Sequence, residues 1–299
     1  MISCMSFPPA TAGHPAERHD IGRSLPWPAA AWFAALLLVL YFPILRDMVR
    51  EWIEVEEMGH GFFVPAVSGY MIWTQKRELL QIPVKPFWPA LALVLWGFCQ
   101  AILGIVGADY FISRVGFLMA LVGVIWTLCG TAVLRRLAFP LFLLLFMIRL
   151  PLFIYSQITF PLQILASRLA EHALSWIGIP VLRDGNILEL PSQRLSVVEA
   201  CSGIRSLLSL SFLALVYGFF FDRKGWMKWV LLVLTAPIAI LANAFRVTIT
   251  GILSEKNPEL ATGVYHSMEG WVIFLVALGA LMIVHHLLNF CWSHRPRRV

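Results

Sequence analysis

The chain has 299 residues, of which 59% are apolar and only 13% are charged, and its mean hydropathy is +0.78. Soluble globular proteins carry about 25% charged residues, so this composition excludes an ordinary soluble enzyme. The net charge of +6 is then a topology signal rather than a sign of nucleic-acid binding. The five cysteines are widely spaced, without a Cys-x-x-Cys pair, and indicate neither a disulfide framework nor a zinc cluster.

Eight apolar runs follow one another along the chain and hold few charges. A bilayer crossing needs ~20 apolar residues, so we predict an all-α polytopic membrane protein with about eight transmembrane helices. The second run is short and begins at Gly61, which is typical of a tilted or partly re-entrant helix. The runs lie at 27–45, 61–74, 87–106, 115–130, 137–154, 204–221, 229–250 and 271–290.

The positive charges favour one topology. If the N-terminus lies inside, the segments 1–26, 75–86, 131–136, 222–228 and 291–299 are all inner and together hold 13 Lys and Arg against 4 Asp and Glu. The rest of the chain holds 10 Lys and Arg against 13 acidic residues. Because basic segments stay in the cytoplasm, we predict that both termini are cytoplasmic. Residues 1–26 would be an inner segment, 27–290 a single transmembrane domain, and 291–299 a basic inner tail.

The segment 152–201 is the longest one without a predicted span, and it would lie outside as a small extracytoplasmic cap. Its first part has a polar stripe that includes Gln163, Arg168 and Glu171, so we predict an outer amphipathic helix on the membrane surface. Pro161 is a position where this helix can break or kink. Residues 183–186 are typical of a turn, and 187–190 and 194–198 of short strands or extended pieces.

Three groups of polar residues stand at the outer ends of the last three predicted spans. A charge at the centre of a span costs ~2.5–3.5 kcal/mol, so polar residues at such positions indicate a functional site. Because all three groups belong to one membrane face, we expect them to converge. They are Cys201 with Glu199 and Arg205, Asn243 with Arg246, and His266 with Glu269.

The residue types in these groups suit nucleophilic catalysis. A cysteine at the start of a helix has its thiolate stabilised by unpaired backbone N–H groups, and Glu199 and Arg205 are alternative neighbours of Cys201 with opposite effects. Asn243 and Arg246 share one helical face and offer donors to an oxyanion, although a lone arginine also snorkels to the interface. His266 is a candidate acid/base that Glu269 would orient, whereas most loop histidines are only solvated.

The roles of three further histidines are less specific. His60, at the outer mouth of the second run, either lines the same pocket or caps its helix. His285 and His286 lie near the inner end of the last span, far from the three groups, and are interpreted as interfacial residues.

Short blocks around these residues resemble those of one family. Val-Glu-Ala-Cys-Ser-Gly-Ile-Arg-Ser at 198–206, Asn-Ala-Phe-Arg-Val at 243–247 and the later His266 are similar to the three signature blocks of the exosortase/archaeosortase family. Supporting blocks at 59–61 and 178–191 are similar as well. The resemblance covers roughly residues 55–275.

The resemblance implies an activity and a set of partners. It implies a cysteine transpeptidase of the inner membrane of exopolysaccharide-producing Gram-negative bacteria, with its active site on the periplasmic face. Its substrates would be membrane-anchored proteins with a C-terminal sorting signal: a Pro-Glu-Pro (PEP-CTERM) type motif, a transmembrane helix and a basic tail. Cys201 would be the nucleophile, His266 the acid/base and Arg246 the stabiliser of the intermediate. No cofactor, metal or nucleic acid is expected, and the acceptor stays open between water, a lipid and a sugar amine.

Two alternative functions remain. A non-catalytic component of exopolysaccharide synthesis or export would use Arg246, Arg149 and the outer histidines to bind an anionic lipid-linked sugar. A purely hydrolytic membrane protease would share the site and differ only in the acceptor.

Overall fold

The structure is a computed structural model that describes residues 27–196, 203–222, 224–256 and 264–293. At residues 27, 56, 57, 203–206, 264–269 and 293 it describes the backbone alone. Of the described residues 84% are helical, which agrees with the predicted nearly all-α class. In chain order the α-helices are α1 (Trp27–Leu40), α2 (Phe42–Glu54), α3 (Phe63–Thr74), α4 (Lys76–Gln81), α5 (Leu91–Val106), α6 (Tyr110–Leu143), α7 (Leu152–Ile177), α8 (Gly203–Phe221), α9 (Met227–Lys256) and α10 (Val264–Ser293).

Short 3₁₀ helices and strands complete the described part of the chain. The 3₁₀ helices are Glu56–Phe62, Trp88–Ala90 and Leu144–Met147. The strands β1 (Leu182–Asp184), β2 (Ile187–Glu189) and β3 (Arg194–Ser196) form one antiparallel sheet in the order β1-β2-β3. The positive φ of Gly185, +61°, lets the chain turn between β1 and β2.

Four helices of the described residues are long and apolar enough to cross a membrane, which makes the chain a multi-pass membrane protein. The count becomes five if the pair Pro28–Leu40 and Phe42–Glu54, bent by 68°, is one broken span. The predicted count of about eight spans is therefore not confirmed. The short second run is the 12-residue helix α3, which follows the 3₁₀ helix Glu56–Phe62.

The longest apolar helix, Tyr110–Met147, folds back on itself at Gly130. Arg114 near one end and Arg149 just beyond the other both contact the carboxylate of Glu51. In a straight helix these two residues would be about 50 Å apart, so the chain must reverse between them. The reversal occurs at Gly130, whose φ of +83° and ψ of 178° are not helical. The predicted inner loop at 131–136 is thus replaced by a break at one residue, and two arms of about 17–20 residues run antiparallel.

Small residues bring α5 and the first arm of α6 into close contact. A Cβ added at Gly97 would lie 2.5 Å from the carbonyl oxygen of Gly116, and one added at Gly116 would lie 2.6 Å from that of Gly97. Ala101 and Ala120 are buried in the same interface. Because lipid provides no hydrophobic force between helices, such close backbone packing holds the pair together.

The segment after α6 packs along α9 and the small sheet. The helix α7 is continuous through Pro161 and packs along α9, with Leu174 against Gly251. Its buried residues near the C-terminus join Leu188, Leu190 and Leu195 of the sheet region and Val247 of α9 in one apolar cluster. The cap is therefore a small folded unit around the last part of α9, and the predicted surface-lying helix is one of its walls.

Candidate functional site

Arg246 stands on α9, one of the helices long and apolar enough to cross a membrane. It lies 19 residues after Met227, about 28 Å along the helix, and the hydrocarbon core is about 30 Å thick. Only 8% of the residue is exposed. A buried guanidinium at this depth is not a snorkelling side chain, because snorkelling places the charged head in water.

A cleft of about 350 Å³ opens between α8, α9 and α10, with Arg246 in its wall. Its walls are mainly small or apolar, and Asn243 and Arg246 are its polar side chains. The predicted pairing of these two residues on one face of α9 therefore gives both access to the same space. The lining residues are Leu210, Ala239, Ala242, Asn243, Arg246, Gly270, Ile273, Phe274 and Ala277.

A second cleft of about 330 Å³ meets the first at Ala239 and Asn243. Its other walls are Thr159, Leu162 and Gln163 of α7 and Leu207 of α8. Asn243 therefore stands where the two clefts join, and its amide can serve a chain that occupies either of them.

The glycine at position 270 allows α10 to approach Arg246. A Cβ at Gly270 would lie 3.2 Å from Nη2 of Arg246 and 3.4 Å from its Cζ and Nη1. His266 precedes Gly270 by four residues on the same helix, so its backbone lies about 6 Å further along the same face. The side chains of His266 and Glu269 are outside the described residues.

The antiparallel register of α8 and α9 relates Arg246 to the cysteine block. Gly218 lies against Lys228, and Ser211 Oγ is 3.2 Å from Thr235 Oγ1. Continuing that register brings Asn243 to the level of Gly203, so that Arg246 lies about one turn of α9 beyond the start of α8. The helix α8 begins at Gly203, two residues after Cys201. Cys201 and Glu199 lie outside the described residues, and of Arg205 only the backbone is described.

A comparison with models of known protein families identifies the family of this chain. A model described as transmembrane exosortase matches residues 52–283. The chain belongs to the transmembrane exosortase family. No curated protein and no solved structure gives a match. Membership in the exosortase family supports a transpeptidase-like role in a membrane in general terms.

In this exosortase, the side chain of His60 packs against the 3₁₀ helix Leu144–Met147. Its Nε2 lies 3.1 Å from the carbonyl oxygen of Phe146, and since a carbonyl only accepts, Nε2 carries the proton of this hydrogen bond. The indole of Trp52 donates to the next carbonyl, that of Met147, at 3.0 Å. His60 lines neither of the two clefts described above.

The exosortase also contains a buried ion cluster that the sequence analysis missed. Arg114 is 4% exposed and pairs with Glu51, whose second oxygen is 3.7 Å from Nη1 of the half-exposed Arg149. Two guanidinium groups share one carboxylate, so the cluster keeps a net positive charge. The sequence did hold one indication of this cluster. Arg114 is a charged residue directly before the predicted fourth span, and the predicted topology does not explain its charge.

A second missed cluster lies at the opposite end of α8 and α10. His285, interpreted from sequence as interfacial, is buried and bonds to Asp222. His286 beside it is exposed. Among the described residues, no group of three or more His, Cys, Asp or Glu side chains is placed to hold a metal ion.

Proposed function

We propose that this exosortase is a membrane-embedded cysteine transpeptidase that cleaves C-terminal sorting signals of surface or secreted proteins. The reaction takes place at the outer face of the cytoplasmic membrane and passes through a thioacyl intermediate, from which the protein is transferred to an acceptor. Cys201 is the nucleophile, His266 the acid/base, and Arg246 the stabiliser of the oxyanion, with Asn243 as a second donor.

One observation carries the proposal: the buried guanidinium of Arg246 borders a cleft between the three helices that bear the signature blocks. A guanidinium in the wall of such a cleft can donate charge-assisted hydrogen bonds to an anionic partner that enters it. In acyl transfer that partner is the oxyanion of the tetrahedral intermediate. Removing one oxyanion donor costs about 2.7–4 kcal/mol of transition-state stabilisation in a comparable serine enzyme.

The chemistry follows in two half-reactions. The thiolate of Cys201 attacks the peptide carbonyl carbon, a C–S bond forms, and the carbonyl electrons move onto the oxygen beside Arg246. Collapse of this intermediate breaks the C–N bond, and His266 gives a proton to the leaving amine. In the second half-reaction His266 takes a proton from the incoming acceptor, which attacks the thioester and releases the thiolate.

The position of the site fits a membrane-anchored substrate. Arg246 lies about one bilayer thickness from the start of α9, so the reacting bond would sit at the interface. A substrate anchored by its own transmembrane helix diffuses in the plane of the membrane and presents its sorting motif at this height.

The test is processing of a substrate that carries a sorting signal in cells or proteoliposomes. Cys201→Ala and Cys201→Ser should leave the substrate at full length, and Arg246→Ala and His266→Ala should reduce cleavage at least a hundredfold. Cys99→Ala is the matched control, because Cys99 is an exposed cysteine on α5 and its loss should be silent. Normal processing in Cys201→Ala would refute the proposal.

The shared carboxylate of Glu51 favours a second candidate function. The net positive charge of that cluster, with Arg149 half exposed, suits a non-catalytic component that binds an anionic lipid-linked sugar. Labelling with a thiol-reactive electrophile separates the two functions. Labelling of Cys201 that a substrate peptide blocks favours the enzyme, and an inert Cys201 favours the binding protein. Mass spectrometry of the new C-terminus then separates transfer from plain hydrolysis.

A further inference from the structure

A connected set of hydrogen bonds joins α8 and the loop after it to α10, at the end of these helices opposite to Arg246. Asp222, directly after α8, lies 2.9 Å through Oδ2 from Nε2 of His285 and accepts from Nδ2 of Asn289 at 3.0 Å. Its other oxygen accepts from the backbone N–H of Lys224 at 2.7 Å. The Tyr217 hydroxyl is 3.1 Å from Nδ1 of His285. We call Tyr217, Asp222, His285 and Asn289 the clasp.

The clasp is buried, and separating its side chains would cost free energy. The side chains of Asp222 and His285 are 3% and 8% exposed. Burial by itself raises the pKa of Asp222, but the bonds from the backbone N–H of Lys224, from His285 and from Asn289 lower it below the ordinary value. The clasp therefore holds a charged carboxylate, and pulling it away from its donors would leave a buried charge without partners.

The clasp also fixes how far α10 is displaced along α8. Tyr217 is hydrogen-bonded to His285, and Asp222 to Asn289. Each residue at this end of α8 thus has a partner on α10 that lies 67 or 68 positions later in the sequence. Leu210 and Ala277 keep the same offset across one buried cluster. The two helices are thus parallel and in constant register. Extended to the other end, this register brings Gly203 beside Gly270, which contacts Arg246.

We propose that Asp222 and His285 are positioning residues that set the axial register of α8 and α10, and thereby where the His266 end of α10 lies relative to the start of α8 and to Arg246. This rests on the proposed function only in the roles of Cys201 and His266. Cys201 is two residues before α8, and His266 is one turn before Gly270. A displacement of α10 along α8 at the clasp moves the backbone of His266 relative to the start of α8 at Gly203 by the same amount.

The physical basis is the stiffness of two helices that contain no proline. Neither α8 nor the part of α10 between His266 and His285 has one, so neither has an evident site for a kink. Apolar contacts between the helices are less specific than the clasp, because an apolar side chain can repack after a small slide. A misplacement of 1 Å between reacting groups can cost about a hundredfold in rate.

The first experiment measures the register without any reference to catalysis. In the full chain in nanodiscs, the five native cysteines are replaced by serine, and spin labels are attached through Ser209→Cys on α8 and Leu287→Cys on α10, where Leu287 is exposed. In the observed register these positions are about 16 Å apart along the helix axes, so an axial slip changes their distance directly. We expect a narrow distance distribution, which Asp222→Asn and His285→Gln shift by several ångströms, up to about 5.4 Å for a slip of one turn, or clearly broaden.

The second experiment measures what the register does for the reaction. In a protein with its Cys201 intact, Asp222→Asn should lower kcat about tenfold to a hundredfold, with KM within twofold. The pH profile of Cys201 alkylation should also change, because the proposed acid/base His266 has moved with α10. His286→Gln is the matched control: it is the adjacent, exposed histidine of the same helix and should leave the distance, kcat and alkylation profile unchanged.

The outcomes separate this proposal from the proposed function. An unchanged distance distribution in both clasp variants would overturn the positioning role, even if the wild-type protein cleaves substrate. A changed distance together with unchanged kcat and alkylation would also overturn it. If the distance changes but wild-type Cys201 is inert and no substrate is cleaved, the role of the clasp in setting the register stands and the transpeptidase function is refuted.

Discussion

Gly270 offers a test of the site that separates activity from stability. The perturbation is Gly270→Ala, which adds one methyl group in the helical part of α10. That Cβ would lie 3.2–3.4 Å from three atoms of the Arg246 guanidinium, and ordinary carbon contacts are about 3.5–4.0 Å. The guanidinium is the end of a flexible side chain, so we expect it to move by a few tenths of an ångström rather than to clash.

This movement has opposite effects on stability and on rate. Alanine in place of glycine inside a helix stabilises by about 1 kcal/mol, so the melting temperature should stay the same or rise. Complete loss of an oxyanion donor costs about 2.7–4 kcal/mol, and a displaced donor should lose part of that. We therefore expect kcat to fall roughly tenfold, which corresponds to about 1.4 kcal/mol, with little change in KM.

The assay is substrate cleavage under single-turnover conditions, together with thermal unfolding of the same preparations. Gly279→Ala is the control, because position 279 lies on the same helix and no heavy atom lies within 4 Å of its added Cβ. That variant should gain similar stability and keep its rate. A Gly270→Ala protein with the wild-type rate would show that the position of Arg246 beside α10 is not needed for the reaction.

Three further predictions concern stability. Gly130→Ala should lower the free energy of unfolding by more than about 3 kcal/mol in denaturant titration, because its added Cβ would overlap the carbonyl of Lys85 and its φ is positive. Gly178→Ala is the control: its φ is also positive but its added Cβ meets open space, so the loss should be only about 1–2 kcal/mol. Arg114→Ala should cost about 1–3 kcal/mol, because Glu51 loses a buried donor but keeps Arg149, and a loss near zero would contradict the pairing of Arg114 with Glu51. The pKa of Asp222 is lower in the folded protein than in the unfolded chain, so its carboxylate stabilises the fold above about pH 4, and this stabilisation is lost as the pH falls through the folded pKa. The melting temperatures of the wild type and of Asp222→Asn should therefore converge at low pH.

The apolar spans could be predicted because lipid contact fixes their length and composition. The runs at 87–106 and 229–250 correspond to the helices Trp88–Val106 and Met227–Lys256. The pieces at 187–190 and 194–198 overlap β2 and β3. The strand β1 was missed because its Arg-Asp pair also suits the turn that follows it.

Other features depend on partners that a single sequence does not reveal. The polar stripe of α7 indicated a membrane surface, whereas the sequence did not reveal that the apolar residues near its C-terminal end pack against Val247 of α9 and the sheet region. The reversal at Gly130 rests on one positive φ rather than on a loop with a composition of its own. The clasp joins residues more than sixty positions apart, and each of them alone is an ordinary interfacial residue. The spacing of Asn243 and Arg246 did indicate a shared face, because helical periodicity is local.

The length of α9 has a consequence for which substrates can be processed. The helix has 30 residues, about 45 Å, and Arg246 stands where about 30 Å have been used, so the reactive height above the membrane is fixed by the protein. An anchored substrate has its own fixed point at the end of its transmembrane helix. Each extended residue between that point and the scissile bond adds about 3.3 Å, so two or three extra residues take the bond out of range. Under the proposed function, the distance from the membrane anchor of a substrate to its scissile bond would therefore select substrates together with the sorting motif.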